Sequence, residues 1–159
     1  MDAAEADAET EREQYRRARG KAMDLLARRE HAVAELRDKL TQRDMQPALV
    51  ARVLDELQAE GLLSDARFAE AYVRYRRNSG HGPQRIRQEL RQRGVEEALQ
   101  ATWLESAEVD WSALARQARS KRFGADLPGD YKERARQARF LQYRGFTSEQ
   151  IQAALGDED

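Results

Sequence analysis

Between residues 72 and 93 the chain carries seven arginines against Glu89 alone, a net charge of +6. A guanidinium is a planar fork that donates parallel N–H groups to a carboxylate or a phosphate. A stretch this rich in Arg and poor in acids suits an anionic partner, either a nucleic-acid backbone or an acidic protein surface. The competing reading is a solvated helix face that serves no partner. The candidate contacts are Arg74, Arg76, Arg77, Arg85, Arg87 and Arg91, with Arg67 and His81 beside them.

Other chemistry is sparse. There is no GxxxxGK[ST] loop, no HExxH pair and no nucleophile elbow. Cysteine is absent, which excludes disulfides and thiolate sites. His31 and His81 lie 50 residues apart without further ligands at metal-site spacing. Glu96 and Glu97 are helix neighbours that do not face each other, and they fit the first turn of a helix better than acid/base work. Gly80-His81-Gly82-Pro83 is either a phosphate cradle at a helix N-terminus or a plain turn before a helix that Pro83 opens. These patterns predict no catalytic residue, no metal and no cofactor.

The elements that carry the arginines are helical. One hundred of the 159 residues are Ala, Leu, Glu, Gln, Arg or Lys, and only 12 are Val, Ile or Thr. That balance predicts an all-α chain. No run of 18 apolar residues occurs and the first residues are acidic, so neither a membrane span nor a secretory leader is expected, and the compartment is expected to be the cytoplasm. The net charge of −1 conceals a partition: residues 1–14 hold six acids and one Arg, residues 157–159 are all acidic, and the remainder is +7. Residues 1–10 are expected to form a disordered acidic tail, and residues 157–159 a second acidic tail.

The chain also repeats itself. Leu40-x-x-Arg43-Asp44-Met45 matches Leu90-x-x-Arg93-Gly94-Val95 and Leu141-x-x-Arg144-Gly145-Phe146, and Leu54, Leu104 and Leu155 follow in register. Three copies in register predict three tandem three-helix repeats, at 11–60, 61–108 and 109–156. Nine helices are expected, at about 11–29, 32–42, 47–59, 65–78, 83–93, 96–107, 111–123, 132–143 and 148–155. Thr10-x-x-Glu13 and Thr147-x-x-Gln150 read as capping boxes, Pro47 as a first helical residue, either Ser64 or Asp65 as the cap of the helix bearing Phe68, and Asp110 as the cap of the helix bearing Leu114. Phe68, Tyr72, Tyr75 and Trp103 fall on apolar stripes and are expected in the core. Serial docking of such small units predicts an elongated, curved array. Without a heptad seam, a monomer is expected.

The segment Gly61-Leu62-Leu63-Ser64-Asp65-Ala66-Arg67-Phe68-Ala69-Glu70-Ala71-Tyr72-Val73-Arg74, running on to Gly80-His81-Gly82-Pro83-Gln84-Arg85-Ile86-Arg87-Gln88-Glu89-Leu90, resembles the signature of the RecX family of recombinase regulators. The flanking repeats resemble it through Leu26 to His31 and through Phe140 to Phe146, so the resemblance spans about residues 15–156. Two positions depart from the pattern: Ala32 stands where a hydroxyl residue often caps the helix, and Asp44 where the other two repeats have Gly. The resemblance implies three three-helix repeats and a partner, the RecA filament on single-stranded DNA. It implies a protein that lodges in the filament groove and inhibits strand exchange, ATP hydrolysis and coprotease activity, modulating recombination, DNA repair and the SOS response. The alternative is a helical module that binds nucleic acid directly, without RecA.

Overall fold

Strong helix formers, interrupted by Pro and Gly at the repeat turns, leave this chain few alternatives to short helices joined tightly. The computed structural model describes residues 2–41 and 45–156. Among the described residues there are nine helices and no strand: α1 (Ala3–Arg28), α2 (Val33–Leu40), α3 (Pro47–Ala59), α4 (Asp65–Asn78), α5 (Pro83–Gln92), α6 (Glu97–Leu104), α7 (Trp111–Phe123), α8 (Tyr131–Arg144) and α9 (Ser148–Leu155). Arg43, Asp44 and the acidic residues 157–159 lie outside the described residues.

The first helix differs from the expectation. It begins at Ala3 rather than near residue 11, so residues 3–10, expected as a disordered tail, are helical. Asp2 caps it through a bond from the Glu5 amide, and the Ala- and Glu-rich sequence needs no apolar face to continue. Thr10 is consequently not a cap. It sits inside α1, where its hydroxyl donates to the Ala6 carbonyl at 2.9 Å. Tyr75 also departs from expectation, being 64% exposed, while Phe68 and Val73 of the same helix are buried. Periodicity gives direction around a helix axis, not how far the packed core extends along it.

The chain divides into two compact units, residues 1–68 with 93–95, and residues 69–92 with 96–159. In the first unit, Ala18 and Ala22 of α1, Leu36 and Leu40 of α2, and Val50, Val53, Leu54 and Leu57 of α3 form one buried cluster with Leu63. Burying each such Leu stabilises the unit by roughly 2 kcal/mol. The missing hydroxyl at Ala32 is compensated from elsewhere in the chain. Asp65 Oδ1 accepts the Val33 amide at 2.8 Å, one of the amides at the start of α2 that its own helix leaves unsatisfied. Ser64, not Asp65, caps α4 through the Arg67 amide.

In the second unit α7, α8 and α9 pack on one another, as do α5 and α6. Trp111 buries its ring and donates its indole N–H to the Leu104 carbonyl at 3.1 Å, closing the C-terminus of α6. Asp110 caps α7, and Thr147 with Gln150 forms the expected capping box of α9. Arg119, 4% exposed, reaches the carbonyls of Gly124, Ala125 and Asp126 and the Gln137 side chain, which fixes the loop after α7.

The second and third repeats meet inside this unit, backbone against backbone. The Gly82 amide donates to the Arg144 carbonyl at 2.8 Å and the Gln84 amide to the Gly145 carbonyl at 2.9 Å. A Cβ on Gly82 would lie 2.4 Å from Gly145 C and Phe146 N; one on Gly145, which has φ +99°, would lie 2.3 Å from Arg85 Cβ. Gly82→Ala is therefore expected to destabilise the protein by about 2–3 kcal/mol, by forcing α5 off α8. Gly129→Ala, in open space, is expected to change stability by less than about 0.5 kcal/mol. Chemical denaturation of the two variants measures the difference.

Candidate interaction surface

The eight sequence-predicted contacts do not form one free stripe. Arg76 binds Glu89 through two parallel bonds of 2.9 and 3.0 Å, and both side chains are largely covered, so this pair ties α4 to α5. Arg74 pairs with Glu70 at 3.1 Å, Arg91 with Glu97 at 3.0 Å, and Arg87 with Glu105 at 3.6 Å. In the first unit Arg67 pairs with Glu30 at 3.0 Å. The acids missing from the 72–93 window are thus supplied by residues before and after it. The pairs of Arg67, Arg74, Arg87 and Arg91 are exposed and worth about 0–1 kcal/mol each, so a partner's anion can displace them at little cost.

Arg85 stacks over the Tyr143 ring, 5.0 Å from its centroid, and donates to the Tyr143 carbonyl at 3.3 Å. Arg144 donates to the Ser79 carbonyl at 3.2 Å. His81 sits between these groups with its Nδ1 buried and unpartnered among the described residues. Burial lowers its pKa below the ordinary 6.5, and the guanidiniums of Arg76, Arg85 and Arg144 lower it further. His31, at the matching position of the first repeat, is 1% exposed. Its Nδ1–H donates to the Arg29 carbonyl and its Nε2 accepts from Lys39 at 3.0 Å. Burial again lowers the pKa, against the Arg29 carbonyl, which raises it. The Gly80–Pro83 turn is no open phosphate cradle, because the Gly82 and Gln84 amides are already spent on α8 carbonyls.

Among the described residues Arg77 makes no ion pair, and it opens onto a cleft that the spacing of residues 72–93 did not reveal. The cleft, of about 610 Å³, is lined by the end of α4, α7 and α8 and includes Arg77, Lys121, Arg122 and Arg144, with no carboxylate among its lining residues. The signal was present in the sequence: residues 111–123 contain Arg116, Arg119, Lys121 and Arg122 and no acid. Among the described residues no three His, Cys, Asp or Glu side chains are grouped as a metal site would need.

Family models for three-helix domains match along the chain: the first RecX three-helix domain over residues 18–57, the second over 64–104 and the third over 108–155. The chain belongs to the RecX family. "Regulatory protein RecX" of Halorhodospira halophila is 54% identical over 143 residues, which cover 89% of each chain. "Regulatory protein RecX" of Pseudomonas entomophila is 48% identical over 138 residues, covering 87% of this chain and 89% of the relative. The crystal structure of a regulatory protein RecX superposes with a TM-score of 0.80 at 26% identity, over 99% of this chain and 80% of that one. RecX from Lactobacillus salivarius, at 20% identity and a TM-score of 0.73, covers 89% of this chain and 94% of its own and shares the fold. The RecX relatives are named as regulatory proteins and not as enzymes. No helix among the described residues is long and apolar enough to cross a membrane.

Both histidines hold folded pKa values below the unfolded value of 6.5. Protonation therefore favours the unfolded chain, and the stability held above pH 6.5 is lost as pH falls from there through the folded values. Unfolding experiments between about pH 7.5 and 5.5 are expected to show falling stability with uptake of up to two protons, and His81→Gln is expected to flatten the slope. A flat profile for the parent chain would contradict the assignment of both rings as neutral.

Proposed function

We propose that this protein regulates a RecA-type recombinase by binding its filament on single-stranded DNA. It lies along the helical groove and inhibits strand exchange, ATP hydrolysis and coprotease activity. Through that inhibition it modulates homologous recombination, DNA repair and the SOS response. The observation that carries this reading is the match to all three RecX domains, joined to about 50% identity with proteins named RecX over most of the chain. The geometry supports it in a second way. Arg67, Arg74, Arg87 and Arg91 end in exposed, exchangeable ion pairs, as a reversible contact to an acidic protein surface requires. Helical modules in series place several weak contacts on one ligand, and their effects multiply through effective concentration. The protein acts as a monomer in the cytoplasm, without a cofactor.

Titration onto preformed recombinase filaments, read as DNA-dependent ATP hydrolysis, tests this. Inhibition is expected at concentrations far below those that coat free single-stranded DNA at the same salt. Replacement of Arg74, Arg87 and Arg91 by Glu is expected to raise the inhibitory concentration at least about tenfold while helicity is retained, each lost contact contributing a fraction of a 1.4 kcal/mol step. Inhibition only when free DNA is saturated would instead favour the direct nucleic-acid module.

A further inference from the structure

The cleft between the end of α4, α7 and α8 differs from the rest of the arginine-rich surface in what it lacks. Arg74, Arg87 and Arg91 of the predicted stripe face carboxylates; the lining of this cleft contains none. Among the described residues Arg77 and Lys121 have no ion-pair partner. Arg122 is held over the rings of Phe123 and Phe140 at 5.6 and 5.9 Å, and Arg144 over Phe140 at 4.8 Å. The two rings meet edge to face at 5.3 Å, and Phe140 lines the cleft. Stacking fixes the plane of a guanidinium and leaves its N–H edge free to donate. Arg144 is committed further, through its bond to the Ser79 carbonyl, so it positions the wall.

Four cations in one concave site, with no internal counter-ion, repel one another unless an anion joins them. An acidic protein loop could supply isolated carboxylates. A phosphodiester strand supplies closely spaced charge of the kind that such a cluster neutralises. A flexible single strand can bend its backbone into a concave site, which a stiff duplex cannot. We propose that this cleft is a seat for the backbone of single-stranded nucleic acid, with Arg77, Lys121 and Arg122 as the contacts and Arg144 as a positioning residue. The seat is separate from the paired arginines of the proposed filament contact. Its test uses no recombinase, so the two readings fail independently.

The measurement is fluorescence anisotropy of a labelled single-stranded DNA oligonucleotide with the full chain, over a range of salt. A triple variant, Arg77→Gln, Lys121→Gln and Arg122→Gln, is expected to lose at least about tenfold in affinity and about two to three units of log–log salt slope. A charge-matched control, Arg17→Gln, Arg28→Gln and Arg37→Gln, removes three exposed cations of the first unit and is expected to keep most of the affinity. Thermal unfolding checks that both variants are folded. Equal loss in both variants, no loss in the triple variant, or no binding by the parent chain would overturn the proposal. Equal affinity for a duplex of the same sequence, with the same dependence on the three residues, would overturn the assignment to a single strand. Loss of filament inhibition by the triple variant, with oligonucleotide binding intact, would assign the cleft to an acidic protein surface instead.

Discussion

The carbonyls of Arg144 and Gly145, at the end of α8, accept the amides of Gly82 and Gln84, at the start of α5. Each helix end carries groups that its own helix cannot satisfy, and here the negative end of one helix satisfies the positive end of another. The approach is possible only because neither Gly82 nor Gly145 has a Cβ. A three-helix repeat of this length is too small for a secure core of its own. The backbone joint ties residues 69–92 to the third repeat within one unit, and it brings Ser79 and Gly80 against Arg144. The cationic cleft exists because that joint exists. The first unit shows the same steric relation on a smaller scale, where a Cβ on Gly94 would meet Ala34 Cβ at 3.0 Å.

The joint also explains why a charge count along the sequence sorts the arginines poorly. Side chains that look alike in residues 72–93 have different employment in space. Arg76 is an internal strut to Glu89, Arg85 is stacked on Tyr143, and Arg74, Arg87 and Arg91 hold exposed pairs. Only Arg77 of the predicted set opens onto the carboxylate-free cleft. A covered strut resists replacement because losing one partner strands the other charge. An exposed pair can be exchanged for a partner's anion, and an unpaired cation is available from the start.

Most of the fold was legible because local chemistry marks it. Helices α3, α4, α7 and α9 run over the residues expected, bounded by Pro47, by the Ser64 and Asp110 caps and by the Thr147–Gln150 box. The self-alignment that pairs Gly94 with Gly145 located turns that recur in the structure. Features set by distant residues were illegible. Asp65 accepts the first amide of α2 from 32 positions away. The start of α1 was misplaced because a polar Ala- and Glu-rich segment reads as tail or helix alike, and the cap at Asp2 decides it. The cleft escaped notice because its cations come from residues 77 to 144 and no single window holds them.

The central physical claim is that the Gly82 and Gln84 amides are held by α8. Native-state hydrogen exchange reads those two amides directly. Protection comparable to that of interior amides of α5 and α8 is the predicted result, since the joint opens only when the unit does. Exchange at the rate of an exposed turn would contradict it, and the cleft would then have no fixed wall.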